Sequence, residues 1–326
     1  MPDTAVKILT YNLFLRPPGI HSGNGDYKWE RLRLFASLQL SQYDVVAVQE
    51  CFAFGTTRRT ELIRMAKEAG LIYHCACPIP SWVAGQVDGG LLIVSRLRIT
   101  SSDFMAYPRG VHSDWLAAKG VLHAQIDLGQ GRNLMLFSTH TQASYEANPP
   151  LSSPSSIVRL DQLHRASNFI LDTLKRKAGL PSPSLSETVV VLVGDLNTDG
   201  RLSREDGVGH SAEYKAMINN LEGSSNSNER LHQATDDPTL EKGALEVIDV
   251  AYTNLHEHPV TTSSLGPTPL DPENKCLDYI FRLLPELTDD FTIRFEDVKT
   301  VPFAVEGQPF SHLSDHCGLT ATLLIP

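Results

Sequence analysis

Apolar runs of strand length recur along the chain, and several of them meet polar or charged residues abruptly at one end. Val189-Val190-Val191-Leu192-Val193 leads into Gly194-Asp195-Leu196-Asn197, and Ser314-Asp315-His316 precedes the apolar run from Cys317 to Ile325. Val6 to Leu9 leads to Tyr11-Asn12, Val45 to Val48 to Gln49-Glu50, and Leu134 to Phe137 to Thr139-His140. Short runs rich in β-branched residues and bounded by Gly, Asp or Asn predict buried strands. A carboxylate, an amide or an imidazole at the end of such a strand contributes little to a core. It does aim a polar group from a rigid frame.

Further runs at Leu91 to Val94, Val121 to Ile126, Val247 to Ala251 and Leu277 to Phe281 predict more strands. Helical stripes lie between them. Trp29, Leu32, Phe35, Ala36 and Leu40 form one; Leu62, Met65, Ala66 and Ala69 form another, stopped by Gly70. The longest comprises Ile157, Leu160, Leu163, Ser167, Ile170 and Leu174, with Ser155 or Ser156 as N-cap and Gly179 as stop. Strands alternating with helices predict an α/β fold. Four linkers (142–156, 179–186, 222–229 and 253–275) are rich in Pro, Ser or Asn. None separates domains, because candidate site residues lie on both sides of each.

With 41% hydrophobic and 20% charged residues, the composition is that of a soluble globular protein. A net charge of −10 without a basic stripe argues against nucleic acid as a partner. Met1-Pro2-Asp3 opens no secretory signal, and no apolar stretch reaches the roughly 18 residues of a spanning helix. The expected location is cytoplasmic or peripheral to a membrane. Five cysteines, an odd number, predict buried thiols rather than a disulfide framework.

Glu50 at a strand end suits a hard cation, since Mg²⁺ takes one or two protein carboxylates and completes its shell with water and phosphate. Asp195 and Asn197 are two residues apart, so in extended chain they face the same side. His140 is a candidate donor to a phosphoryl oxygen. Asp278 is placed to orient an imidazole, and Asp315-His316 supplies one.

The ordered set Tyr11-Asn12, Gln49-Glu50, Thr139-His140, Gly194-Asp-Leu-Asn197, Leu277-Asp-Tyr279 and Ser314-Asp-His316 resembles the endonuclease/exonuclease/phosphatase superfamily. The resemblance spans nearly the whole chain. It implies one catalytic domain over residues 1–326, a four-layer α/β sandwich of two packed mixed β-sheets flanked by helices. It also implies phosphoester hydrolysis dependent on Mg²⁺, with Mn²⁺ as a substitute. Glu50, helped by Asn12, would hold the metal. His316, paired with Asp278, would be the general base, with proton transfer to Asp195 left open. Asp195 and Asn197 would position water and phosphate, His140 would stabilise the equatorial oxygens, and Asp315 would stand beside the metal.

Three further strings are similar to those of neutral sphingomyelinases: Asp88-Gly-Gly-Leu-Leu-Ile-Val-Ser-Arg, Ala118-Lys119-Gly120-Val121, and His140-Thr-Gln-Ala143 followed by Arg159-Leu-Asp-Gln-Leu163. They imply sphingomyelin or a related phospholipid at a membrane surface as substrate, cleaved to ceramide and phosphocholine, with Lys119 as a substrate-binding residue. For Lys119 a solvated turn, and for Arg159 a solvated helix face, are the alternatives. An inositol phosphate or phosphoinositide phosphatase, a nuclease, and an inactive binding protein are the competing readings. The intact motif set argues against the last. Candidate membrane contacts are Trp82, Trp115 and the phenylalanines between Leu283 and Phe310, with core or rim positions as the alternative for both tryptophans.

Overall fold

The computed structural model describes residues 4–20, 26–144, 146, 149–178, 187–202, 209–223, 244–262, 274–285 and 293–326. In chain order its elements are β1 (Thr4–Leu15), α1 (Lys28–Leu38), β2 (Val45–Cys51), α2 (Arg58–Glu68), β3 (Tyr73–Ala76), β4 (Val87–Asp88), β5 (Leu92–Ser95), β6 (Ile99–Ala106) and β7 (Ala117–Ala118). They continue with β8 (Gly120–Gly129), β9 (Arg132–His140), α3 (Pro154–Ala178), β10 (Thr188–Asp195), α4 (Ala212–Glu222), β11 (Leu245–Asp249), α5 (Val250–Leu255), β12 (Asp278–Pro285), β13 (Arg294–Val301) and β14 (Gly318–Ile325).

Two six-stranded mixed sheets pack face to face, ordered β13-β14-β1-β2-β5-β3 and β11-β12-β10-β9-β8-β6. Between them Val6, Ile8, Val45, Ala47 and Ile93 meet Leu134, Leu136, Val191, Val193 and Ile280. The outer face of the first sheet packs Leu9, Tyr11 and Val46 against Leu32 and Phe35 of α1 and Leu62 and Ala66 of α2. The outer face of the second packs Phe137, Val190 and Leu192 against Leu163, Ala166 and Ile170 of α3. Both faces of the central strands are covered, so their sequences read as unbroken apolar runs rather than alternations. Each such side chain contributes about 1.5–3 kcal/mol on burial. The result is the four-layer α/β sandwich that the family resemblance implies.

Three boundaries differ from the sequence reading. α3 begins at Pro154, and the Ser153 hydroxyl accepts the N–H of Ser156 at 3.2 Å. Proline suits the first helical position because its missing N–H has no partner there anyway, which moves the cap to Ser153. The run Val247 to Ala251 is not all strand. Asp249 ends β11 and accepts the N–H of Tyr252 at 3.0 Å, starting α5. Leu40 lies beyond α1, in a 3-10 turn at Leu40–Gln42. Gly70 closes α2 with φ +91°, as its position suggests, whereas Gly179 lies outside the described residues. All five thiols are free. Among the described residues no helix is long and apolar enough to cross a membrane.

The space between the sheets changes character along the strands. In β1 the inward series runs Val6, Ile8, Thr10, Asn12; in β9 it runs Leu134, Leu136, Ser138, His140; in β10 it runs Val189, Val191, Val193, Asp195. Midway, Gln49 on β2 donates to Thr10 Oγ1 at 3.1 Å and across to Ser138 Oγ at 3.2 Å. This buried layer closes the apolar core with satisfied hydrogen bonds. Beyond it every inward residue is ionisable or an amide, so one end of the sandwich is the site.

Candidate active site

Register assembles the site. β10 pairs with β9 and β12 so that Asp195 lies opposite both His140 and Asp278, a row across three adjacent strands. The facing sheet contributes Asn12 from β1 and Glu50 from β2. Asn12 Nδ2 donates to Asp195 Oδ2 at 2.9 Å and to Glu50 Oε1 at 3.3 Å, which ties the two sheets together. The Asn12 oxygen accepts the N–H of Phe14 at 2.9 Å.

His316 completes the row. Its Nδ1 lies 2.8 Å from Asp278 Oδ2, and its Nε2 lies 3.7 Å from Asp195 Oδ2. Burial alone would depress this imidazole, but the carboxylates of Asp278, Asp195 and Asp315 outweigh it and hold its pKa well above the ordinary value. Burial pushes Asp278 up to about 6, against the opposing pull of His316. The Asp278 and Leu277 N–H groups both donate to Thr261 Oγ1, which fixes the strand start that carries the aspartate.

His140 stands on the other side of Asp195, with Nε2 at 3.5 Å from Asp195 Oδ2 and 3.2 Å from Lys119 Nζ. Burial, reinforced by Lys119, pushes its pKa down to about 4, so the ring is neutral at pH 7. An ammonium can only donate, so Lys119 makes Nε2 the acceptor and leaves the proton on Nδ1, which has no protein partner. Lys119 is itself buried and also donates to Asp114 Oδ2 at 2.8 Å and to the Thr141 carbonyl at 2.6 Å. It is neither a solvated turn residue nor open to a ligand in this arrangement; its three donors are engaged behind His140.

Glu50 and Asn197 have left-handed backbones, φ 55° and 50°. Each costs of order 1–2 kcal/mol for a non-glycine residue, a strain tolerated where surrounding contacts enforce it. At Glu50 the enforcement is Gly90, which accepts the Cys51 N–H at 2.8 Å; a Cβ on Gly90 would lie 3.1 Å from Glu50 Cα. At Asn197 it is the Asp195 carboxylate, accepting the Asn197 N–H at 3.0 Å, while Asn197 Nδ2 donates to the Thr141 carbonyl at 3.1 Å. Asp195 and Asn197 are therefore joined by a turn and not by strand alternation. Gly194 permits the close approach of β9: a Cβ there would meet the Thr139 carbonyl oxygen at 2.0 Å.

Glu50 as a residue is half-buried, but its Oε2 is cut off from solvent and has no hydrogen-bond partner. Burial, with the Asp315 charge added, raises this carboxyl to about 7. Uncompensated negative charge of this kind is costly unless a cation meets it, so Glu50 fits a divalent metal. Asp195, Asp278 and His316 also offer one ligand atom each within 4.8 Å of one another. There, however, His316 Nδ1 is already engaged by Asp278.

Three supports were not visible as such in the sequence. Arg31, fully buried in α1, donates to the carbonyls of Leu13, Phe14, Leu313 and Asp26 at 2.7–2.8 Å. It thereby clamps the chain just after Asn12 to the chain just before Ser314. Arg159 is buried rather than solvated, donating to the Gln142 carbonyl at 2.7 Å and pairing with Glu213. Asp88 accepts the N–H groups of Ala53 and Phe54, each at 2.9 Å, and of Gly90 at 3.0 Å, which shapes the loop after Glu50.

A Dictyostelium discoideum sphingomyelinase is 29% identical across an alignment covering 95% of this chain and 77% of that protein. Sphingomyelinase C from Streptomyces griseocarneus superimposes with a TM-score of 0.62 at 20% identity, over 99% of each chain. The chain has the fold that these sphingomyelinases share, the endonuclease/exonuclease/phosphatase fold. A variant of beta toxin from Staphylococcus aureus, crystallised with bound magnesium ions, superimposes with a TM-score of 0.61 at 20% identity over 98% of this chain and 99% of that one. No family model matches the sequence.

Proposed function

We propose that this chain, acting as one catalytic unit over residues 1–326, hydrolyses sphingomyelin to ceramide and phosphocholine in a Mg²⁺-dependent reaction. The observation that carries the reading is the Asp195–His316–Asp278 row facing a buried, unpartnered Glu50 oxygen, in a chain similar along 95% of its length to a sphingomyelinase. Glu50, oriented by Asn12, would hold the metal, with Asp315 as the neighbouring carboxylate. A bound Mg²⁺ would supply Lewis-acid neutralisation of charge on the phosphoryl oxygens.

The remaining chemistry belongs to the side chains. His316 Nε2 would take the proton of the attacking water once the proton that Asp278, Asp195 and Asp315 hold on the ring is lost, while Asp278 fixes the tautomer through Nδ1 and stabilises the imidazolium that forms; the ceramide oxygen takes a proton from solvent as it leaves. Asp195 Oδ2, between Asn12, His140 and His316, positions that water. Asn197 donates to the phosphate as charge grows on its equatorial oxygens, with neutral His140 offering the Nδ1–H that Lys119 leaves unpaired, a task for which a preorganised dry site is suited. Lys119 acts through His140.

The test is phosphocholine release from sphingomyelin in mixed micelles with Mg²⁺ and with EDTA, beside plasmid DNA and a phosphoinositide. Release with Mg²⁺ alone, on sphingomyelin alone, is the expected result. Turnover of DNA or phosphoinositide without phosphocholine release overturns the substrate assignment.

A further inference from the structure

We propose that two short turns beside the site form the surface by which this protein docks on a bilayer of zwitterionic lipid. The inference rests on the sphingomyelin reading above, which requires the site to reach a substrate embedded in such a bilayer.

The turns are 3-10 segments at Trp82–Ala84 and His112–Leu116, and the strands that follow them, β4 and β7, pair in parallel. The Arg109 guanidinium lies 4.1 Å from the Trp115 ring centroid and donates to the Ala84 carbonyl, while Gln86 donates to the Trp115 carbonyl at 3.5 Å. The pair is thus one unit, and it presents apolar side chains to solvent. Val83 is 95% exposed, Ile79 56%, and Trp115 and Leu116 each 49%. Apolar exposure concentrated in two adjoining turns marks an interaction site rather than the scatter of single residues found on any surface.

Charge selects the kind of partner. No charged residue occurs from Pro78 to Val87, on a chain whose net charge is −10. In the second turn Asp114 is engaged by Lys119, which leaves Arg109 as the cation on the patch. A neutral surface with one arginine lying over a tryptophan suits a zwitterionic headgroup layer. There an indole sits at the interface and an arginine reaches the phosphates while its stem stays in apolar contact.

Continuity with the site sets the direction. Leu116 is three residues from Lys119, roughly 10 Å of extended chain, and Lys119 holds His140. β4 ends at Asp88, which accepts the N–H of Phe54, itself 38% exposed and four residues after Glu50. The turns are therefore joined by short stretches of chain to the residues that hold His140 and shape the loop after Glu50. The alternative stretch, Leu283 to Phe310, offers less: Phe303 and Phe310 are buried against α1 and β1, Phe295 packs on the core, and Phe291 lies outside the described residues.

The experiment uses the full chain with Mg²⁺. Sedimentation with vesicles of sphingomyelin and phosphatidylcholine measures binding. Turnover is followed on those vesicles and on a water-soluble choline p-nitrophenyl phosphodiester, for wild type, Val83→Asp, Leu116→Asp, Trp115→Ala and the conservative Val83→Leu. Burial of one such side chain corresponds to a tenfold or greater gain in binding. Vesicle binding and vesicle turnover should each fall at least tenfold in the first three variants. Val83→Leu should be spared, and soluble turnover should stay within about twofold with an unchanged melting temperature. Unchanged vesicle binding in both aspartate variants overturns the proposal, as does failure of the wild type to bind vesicles. A shift from dimer to monomer on gel filtration without loss of vesicle binding would also overturn it, making the patch a contact between copies. Vesicle binding that depends on the turns, with no hydrolysis of either choline phosphodiester, would uphold the surface while refuting the sphingomyelinase assignment.

Discussion

Replacing Glu50 by glutamine should make the metal-free protein more stable at alkaline pH while abolishing its metal-dependent activity. Glutamine keeps the shape and the acceptor that Asn12 uses, but removes the charge. In the folded chain this carboxyl titrates near 7, against 4.5 in its ordinary setting, because it is buried and faces the charge of Asp315. A folded-state pKa above the unfolded one means that the native state binds the extra proton between those two values. Its stability contribution is thus intact below about pH 4.5 and lost as pH rises through 7. A shift of this size corresponds to about 3 kcal/mol at pH 8, an order-of-magnitude figure. Urea unfolding in EDTA at pH 5 and pH 8 measures it. At pH 5 wild type and Glu50→Gln should differ little, and at pH 8 the variant should be more stable by 1–3 kcal/mol. Mg²⁺ at about 100 times its Kd should restore roughly 2.7 kcal/mol to the wild type and nothing to the variant. A stability difference that does not change with pH, or a variant stabilised by Mg²⁺ as much as wild type, would refute the electrostatic account of Glu50.

His316→Ala should lower kcat on sphingomyelin by at least about 10³-fold, since general-base catalysis contributes 10²–10⁴, and should also lower the melting temperature because buried Asp278 loses its partner; a kcat loss under tenfold would place the base elsewhere. Arg31→Met should destabilise the fold by about 3 kcal/mol or more, because it leaves four buried carbonyls without their charged donor; chemical denaturation measures this, and a loss under 1 kcal/mol would remove Arg31 as the clamp between the two halves of the site. Gly194→Ala should prevent β9 and β10 from closing in register, given the 2.0 Å approach to the Thr139 carbonyl, and should appear as loss of cooperative unfolding.

Some of this was legible in the chain, for a specific reason. Strands covered on both faces must be apolar at nearly every position, so Val189 to Val193 and Val45 to Val48 announce themselves, and a polar residue breaking such a run is conspicuous. The site residues were found by that contrast. What joins them was less visible. Nothing in Gln49-Glu50-Cys51 signals a left-handed glutamate, because the conformation is imposed by Gly90 from another strand. Asn197 turns away from strand geometry because the Asp195 carboxylate captures its N–H, a local hydrogen bond that competes with the extended backbone. Arg31 lies outside the apolar stripe of its helix, and only tertiary packing brings four carbonyls to it.

The inward series on β1, β9 and β10 explains why the ionisable groups share one end of the sandwich. Each begins with two or three aliphatic residues, and β1 and β9 pass through a hydroxyl before their amide or imidazole; β10 goes directly from Val193 to Asp195. Register then stacks like with like, so apolar positions form the inter-sheet core and polar positions form the site, and a slip of one residue would turn Asn12, His140 or Asp195 to the outer face. The same core that stabilises the fold thereby fixes His140, Asp195 and Asp278 on neighbouring strands without loop freedom. The cost is concentrated on the facing sheet, where Glu50 carries both a strained backbone and an unpartnered oxygen. A residue that is locally unfavourable in two independent ways is where binding energy from a cation would be recovered as stability.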